Sequence, residues 1–187
     1  MELIQKMRPT TVLSEEHKHI SKVIEALNNE CDAFQQEKSG KPIDKAFFTS
    51  AIDFIRNYAD KFHHAKEEDF LFKEFCIAAD EGCVHCNPTE QMLHEHELGR
   101  GFVKGMEEAL QKGNKEKLIE NAREYAHLLQ EHIFKEDNIL YPMADEALKE
   151  EIQNNMLKKF KAVEIKKFPH GYKDKYITLA EEFEKRK

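Results

Sequence analysis

The sequence contains few residues that interrupt helices, with 7 glycines and 5 prolines among 187 residues. Because these residues break helices and dominate turns, their scarcity favours a helical protein. Hydrophobic residues make up 40% of the chain and charged residues 35%. A chain of this length can bury a substantial core as one domain without disulfide bonds.

Long hydrophobic runs and an excess of positive charge are also missing. No uninterrupted apolar run approaches the roughly 20 residues of a membrane-spanning helix, and residues 1–9 lack the apolar centre of a signal peptide. The net charge of −7 argues against a nucleic-acid-binding surface. No motif for flavin, haem or nicotinamide is present. We therefore expect a soluble, cytoplasmic protein without a membrane or nucleic-acid partner.

Six residues recur with the spacing of a metal site built on helices: His17, His63, Glu67, His96, His132 and Glu136. Residues four positions apart lie one above the other on a helix face, so each HxxxE pair can direct an imidazole and a carboxylate to one ion. Each interval between the histidines is long enough for a helix and a short connection. The pattern H…HxxxE…H…HxxxE therefore predicts a dinuclear metal site with ligands on four helices.

The residue types in this pattern favour iron. Carboxylates can bridge two cations while imidazoles complete the coordination, and mixed nitrogen and oxygen ligands suit iron or manganese better than calcium or a thiolate-bound metal. A histidine on an apolar face is often only a core residue. Burying four imidazoles and two carboxylates without a cation, however, would cost on the order of several kcal/mol.

Apolar periodicity predicts four long helices, over residues 11–38, 44–76, 88–112 and 115–148. Ligands between four helices must lie on the inward apolar stripes. The stripe around His17 on the first helix consists of Leu13, Ile20, Ile24, Leu27, Cys31 and Phe34. The stripe around His96 on the third consists of Met92, Leu93, Phe102, Val103, Met106 and Leu110. The stripe around His132 and Glu136 on the fourth consists of Leu118, Ala122, Tyr125, Leu129, Ile139 and Met143. Three histidines fall off these stripes: His19, which we expect to face solvent, His94 and His127.

The register of the second helix is ambiguous. Its inward stripe consists of Phe48, Ile52, Ile55, Ala59, Phe62 and Phe70. His63 and Glu67 flank this stripe, but His64 and Glu68 have the same spacing and stay an alternative pair. We favour His63 and Glu67 because they lie nearer the stripe.

Together these motifs resemble the hemerythrin-like, or HHE cation-binding, family. The resemblance covers residues 11–148 and rests on the segments EEHKHI, HHAKEEDFLF, MLHEHELGR and EHIFKEDNILYP. It implies an all-α, up-down-up-down four-helix bundle within residues 1–148, holding two non-heme iron ions with an oxo or hydroxo bridge, for which manganese or zinc could substitute. Residues 149–187 resemble accessory C-terminal helices, which we expect to pack on the bundle or at an interface.

One feature departs from the oxygen-carrying members of this family, which place two histidines four residues apart on the third helix. Here Met92 and Arg100 stand four residues before and after His96. Two irons have about twelve coordination positions. The four histidines and two bridging glutamates would fill about eight of them and a bridging oxygen about two more, so roughly two would stay open. The same ligand order resembles the repair-of-iron-centres subgroup, which handles nitric oxide and iron delivery. The extra N-terminal cysteine-bearing domain of that subgroup has no counterpart in this sequence.

The resemblance implies binding of O2, nitric oxide or peroxide, in sensing or detoxification of oxidative or nitrosative stress. Iron storage or donation, as in iron-centre repair, is one alternative. A di-iron nitric oxide reductase or peroxidase is another, and it would need a separate electron-donor protein or small molecule. Whether the protein is an enzyme and whether it forms a homodimer stay open.

The loop between the second and third helices concentrates cysteine. Cys83 and Cys86 form a CxxC motif, with His85 inside it and Cys76 nearby. Such a group can hold free thiols, a redox pair or a zinc ion, and a single CxxC does not decide between them. Groups that orient the imidazoles are also expected, and the candidates are Tyr58, Tyr125 and Tyr141.

Overall fold

The computed structural model describes residues 7–36, 42–82 and 88–186, and each regular element in these ranges is a helix. The α-helices are α1 Pro9–Gln36, α2 Lys45–Phe54, α3 Phe72–Asp80, α4 Thr89–Lys112, α5 Lys115–Lys135, α6 Tyr141–Ala147, α7 Glu150–Lys167 and α8 Tyr172–Glu184. Three π-helical segments are π1 Ile55–His64, π2 Glu67–Leu71 and π3 Glu136–Leu140.

These segments build the four long helices of an all-α, up-down-up-down bundle, which confirms the predicted fold class. The first bundle helix is α1 and the third is α4. The second runs through α2, π1, π2 and α3, and the fourth runs through α5, π3 and α6. None of the helices in the described ranges is long and apolar enough to cross a lipid bilayer.

Local sequence signals fix several helix ends. The carboxylate of Asp44 accepts a hydrogen bond from the backbone N–H of Phe47 at 2.9 Å, so it caps the start of α2. The side chain of Asn114 caps α5 in the same way. Gly113 ends α4 with a left-handed φ of 67°, which glycine adopts without steric strain. Asn87, the expected cap of the third helix, lies outside the described residues.

Most of the predicted stripe residues are buried or half-buried, but two predictions are wrong. Ile139 is 48% exposed, because π3 adds a residue to the turn and rotates Leu140 and Tyr141 inward instead. Leu93 is 40% exposed, because it lies about 100° around the helix from the buried Met92.

The three histidines off the inward stripes divide into two classes. His94 and His127 are exposed, in keeping with their positions off the stripes. His19 is instead half-buried, with its ring 6.3 Å from that of Tyr58. The prediction for His19 is wrong because α8 packs along α1 and covers part of its outer face.

The bundle interior consists of two apolar clusters separated by a polar belt. One cluster includes Ile20, Phe62 and Leu129, and the other includes Leu13 and Leu71. On each bundle helix the proposed ligands fall between residues of these two clusters. Apolar packing therefore closes the polar belt above and below.

The two C-terminal helices pack on the bundle through aromatic side chains. Phe183 of α8 meets Phe47 edge to face, with ring centroids 5.2 Å apart. Phe160 of α7 is buried against Phe70, with centroids 5.8 Å apart. The helices α7 and α8 therefore share the apolar clusters of the four bundle helices.

Shortening a buried side chain of α8 tests whether this helix unfolds with the bundle. We expect Phe183→Ala to lower the free energy of unfolding by about 3–5 kcal/mol, because it removes a buried ring from a packed interface. Urea unfolding followed by circular dichroism measures the change. Ile165→Ala, at a position that is 74% exposed, is the control, and should change stability by no more than about 0.5 kcal/mol. An unchanged main transition in Phe183→Ala would mean that α8 unfolds separately.

Candidate metal centre

Imidazole rings from all four bundle helices converge in the polar belt. The Nε2 atoms of His17 and His63 lie 2.9 Å apart, and those of His96 and His132 lie 3.0 Å apart. All four residues are almost completely buried. Imidazole nitrogens that converge in this way can bind a common metal ion.

Two carboxylates lie between these histidine pairs. The Oε2 atom of Glu136 is 3.3 Å from Nε2 of His17, and its Oε1 atom is 3.2 Å from Nε2 of His132. Glu67 is placed similarly, with Oε2 3.7 Å from Nε2 of His63 and 3.6 Å from Nε2 of His96. Each carboxylate thus faces both histidine pairs, as a carboxylate that bridges two cations does.

The candidate ligand atoms form two groups, each with its atoms within 4.8 Å of one another. The first group consists of His17, His63, Glu67 and Glu136. The second group consists of His64, Glu67, His96 and His132. The groups share Glu67, so the arrangement offers two adjacent cation positions.

The choice between His63 and His64 does not arise in the structure, because both rings are buried in the belt. His63 lies in the first group and His64 in the second, where its ring stacks on that of His96 with centroids 3.9 Å apart. The two residues end π1, whose wider turn lets adjacent side chains flank the interior. A fifth imidazole therefore joins the four candidate ligands that the spacing predicts. Glu68 is not in either group.

Outer carboxylates contact the Nδ1 atoms of four of these imidazoles. The distances are 3.0 Å from His17 to Asp137, 3.1 Å from His63 to Glu16, 2.7 Å from His96 to Glu68 and 2.9 Å from His132 to Glu95. A carboxylate at Nδ1 fixes the ring and directs Nε2 inward, as it does around bound metals. The acidic residue that follows each HxxxE motif, Glu68 or Asp137, is one of these outer carboxylates.

Three inward carboxylate oxygens are buried without a hydrogen-bond partner in the described part of the chain: Oε2 of Glu67 and both oxygens of Glu136. Buried anionic oxygens are costly unless a cation or donor compensates them. Because these atoms face the imidazole nitrogens, two divalent cations would compensate them. The donor set therefore fits the dinuclear group that the spacing predicts.

The pKa values of the buried groups are shifted by the same uncompensated carboxylates. Burial and the charge of Glu136 raise the pKa of Glu67 well above its usual range. Burial opposes protonation of His132, yet the carboxylate of Glu136 raises its pKa to about 10. Burial also opposes protonation of His17, but the nearby carboxylates of Asp137 and Glu136 raise its pKa to about 9. Without cations, these groups hold protons to neutralise the buried carboxylates.

A comparison with family models matches residues 8–144 to the hemerythrin HHE cation binding domain. The chain belongs to this family. No curated protein and no solved structure matches it. The family assignment agrees with the predicted resemblance and with a helical domain that binds cations.

Only one of the three candidate tyrosines contacts this hemerythrin-like centre. The hydroxyl of Tyr141 donates a hydrogen bond to Oε1 of Glu67 at 2.5 Å, and the ring stacks on His17. The hydroxyls of Tyr58 and Tyr125 are buried and have no hydrogen-bond partner among the residues that the structure describes.

The outer partners reveal an internal repeat that we did not predict. Two halves of the centre correspond through the residue pairs Glu16 and Glu95, His17 and His96, His63 and His132, Lys66 and Lys135, Glu67 and Glu136, and Glu68 and Asp137. The sequence carries the signal as a Glu-His dipeptide at residues 16–17 and again at 95–96, and as two copies of H-x-x-K-E followed by an acid. Each lysine of the repeat contacts the glutamate of the Glu-His dipeptide in its half.

The two halves differ in how they are covered. Lys66 is 1% exposed and bonds both Glu16 and Glu164 of α7, each at 2.6 Å. Its counterpart Lys135 is 25% exposed and pairs with Glu95. Burial opposes ionisation of Glu16, but the hydrogen bond with His63 and the charge of Lys66 lower its pKa to about 2. The helix α7 therefore covers Glu16 and Lys66 on the outer side of the first group.

Three residues of the cysteine loop, Cys83, His85 and Cys86, lie outside the described residues. Cys76 lies on α3, with its sulfur 3.2 Å from Oγ1 of Thr89. Cys31 is completely buried in the core, as its place on the first stripe indicates.

Removing the charge of one outer carboxylate tests whether these residues support metal binding. We expect Glu95→Gln to weaken metal affinity about 10- to 100-fold, because the partner of His132 loses its charge while the helices keep their packing. Metal retained after dialysis against graded chelator concentrations measures this. Glu131→Gln, an exposed change on α5 beside His132, should retain metal like the parent protein. Equal retention by both variants would exclude the proposed role of Glu95.

Proposed function

We propose that this protein is a non-heme di-iron protein that binds O2, nitric oxide or peroxide. The observation that carries the proposal is the position of Glu67 and Glu136, whose unpartnered oxygens face imidazoles of both groups. Mixed imidazole and carboxylate donors favour iron, with manganese or zinc as substitutes. A role in sensing or removing oxidative or nitrosative species in the cytoplasm follows from such a centre.

The residues that would hold the metals are the members of the two groups. His17 and His63 would bind the first ion, and His64, His96 and His132 the second. Glu67 and Glu136 would hold the ions together. When bound, the irons would supply exchangeable coordination positions and a change of oxidation state.

The unequal number of imidazoles suggests where an exogenous ligand binds. His17 and His63 would give the first ion two imidazoles, one fewer than the second ion would have. With His64 counted and about six positions per ion, roughly one position instead of roughly two would stay open, and it would belong to the first ion. The hydroxyl of Tyr141 lies 3.4 Å from Nε2 of His17 in this group. This hydroxyl donates to Glu67, so it holds that carboxylate in place beside the open position.

The protein around the first group excludes water from it. The residues of the first group are at most 2% exposed, and the apolar clusters close the belt above and below. Low polarity strengthens the interaction between the carboxylates and a cation. Outer carboxylates hold each of four imidazoles with its Nε2 atom inward, so little reorganisation accompanies ligand binding.

Metal analysis of anaerobically purified protein tests the proposal. We expect about two irons per chain, and a visible absorption band that changes on addition of one of O2, nitric oxide or peroxide. Glu136→Ala should lose metal because it removes a carboxylate from both positions, whereas Glu131→Ala should keep it. A protein with no iron, or a fully metallated Glu136→Ala variant, would overturn the proposed centre.

A further inference from the structure

A cavity of about 270 Å³ lies beside the second group. Its wall includes the rings of His64 and His96, and its apolar sides come from Ile55, Val103 and Leu129. One water needs only about 10–15 Å³ of such space. The cavity is therefore far larger than a diatomic gas requires.

A glycine opens this cavity. Gly99 lies three residues after His96 and lines the space, whereas the corresponding residue of the other half, Ile20, is buried in the core. A Cβ atom at position 99 would lie 3.6 Å from the ring of Tyr125, which is ordinary contact. A longer side chain would then extend into the volume that is now open.

Two residues of the cavity lining have a buried polar atom without a hydrogen-bond partner within residues 7–36, 42–82 and 88–186. They are Tyr125, through its hydroxyl, and His64, through Nδ1. Buried hydroxyls in folded proteins nearly always have a partner. A ligand oxygen in the cavity would provide an acceptor for this hydroxyl.

The charged residues of the lining are largely compensated. Both terminal nitrogens of Arg56 bond Glu107, at 2.6 and 2.7 Å. Arg100 bonds Asp60 through two nitrogens, at 2.9 and 2.7 Å. Lys104 is exposed, so water screens its charge. These contacts favour a neutral ligand over an anion.

We infer that this cavity binds a neutral organic molecule of a few carbon atoms that carries a hydrogen-bond-accepting oxygen, as short alcohols and alkyl hydroperoxides do. The oxygen accepts a hydrogen bond from Tyr125, and the carbon chain packs on Ile55, Val103 and Leu129. The binding does not need the metals. Only the biological meaning, an organic ligand beside a di-iron centre, rests on the proposed function.

Isothermal titration of the full chain as purified, with 1-butanol, tert-butyl hydroperoxide and 1-butylammonium as probes, tests this inference. We expect the two neutral probes to bind and the ammonium ion, which is charged and has no acceptor, not to bind. Equal binding of all three would overturn the ligand class, and absence of binding by the neutral probes at millimolar concentrations would overturn the site.

Two pairs of variants locate the binding. Gly99→Ile should abolish 1-butanol binding, whereas Gly101→Ile on the same helix should not, because a Cβ atom at position 101 has no atom within 4 Å. Tyr125→Phe should weaken binding about 5- to 10-fold, the loss of one hydrogen bond. Tyr58→Phe removes another buried, unpartnered hydroxyl and should change nothing. Unchanged affinity in both Gly99→Ile and Tyr125→Phe would exclude this cavity.

Iron content measured on the same samples separates this inference from the proposed function. Binding of 1-butanol by a protein that contains no iron would support the cavity and reject the di-iron centre. Two irons per chain without 1-butanol binding would support the di-iron centre and reject the cavity as a binding site.

Discussion

The structure depends on the need to compensate two carboxylates in the middle of a helical bundle. Glu67 and Glu136 are completely buried and face each other across the polar belt. Two such charges destabilise a fold unless cations or protons lie between them. The surrounding imidazoles can hold these cations or protons. The outer carboxylates orient the imidazoles, and the apolar clusters close the belt above and below. The π-helical segments that begin at Glu67 and Glu136 belong to the same arrangement, since π-turns often occur at functional sites.

The centre is built twice on one plan and then made unequal. Corresponding residues supply the imidazole, the bridging carboxylate and the outer partner in each half. Three differences break the symmetry: a fifth imidazole at His64, a hydroxyl at Tyr141 where the other half has Phe72, and a glycine where the other half has Ile20. The helix α7 covers the outer side of the first group through Glu164, while the second group adjoins a cavity. Unequal surroundings give two chemically similar positions different access and different partners.

Periodicity predicted the fold and most of the candidate site. Leu13, His17 and Ile20 step along one face of α1, and this spacing alone placed an imidazole in the core. The π-helical segments could not be predicted, because a helix with one wider turn contains the same kinds of residues as a regular α-helix. They account for the exposure of Ile139 and for the burial of both His63 and His64. The outer carboxylates Glu16 and Glu95 were missed because a glutamate on a helix is ordinarily solvated, although their repetition before a histidine was visible.

The most direct test of the two-cation centre is the position of the metals. A crystal of anaerobically prepared protein, measured on both sides of the iron absorption edge, would locate them by anomalous scattering. The account predicts two peaks about 3.5–4 Å apart, one beside His17 and His63 and the other beside His96 and His132, with Glu67 and Glu136 between them. A single peak, or iron bound only elsewhere in the chain, would contradict it.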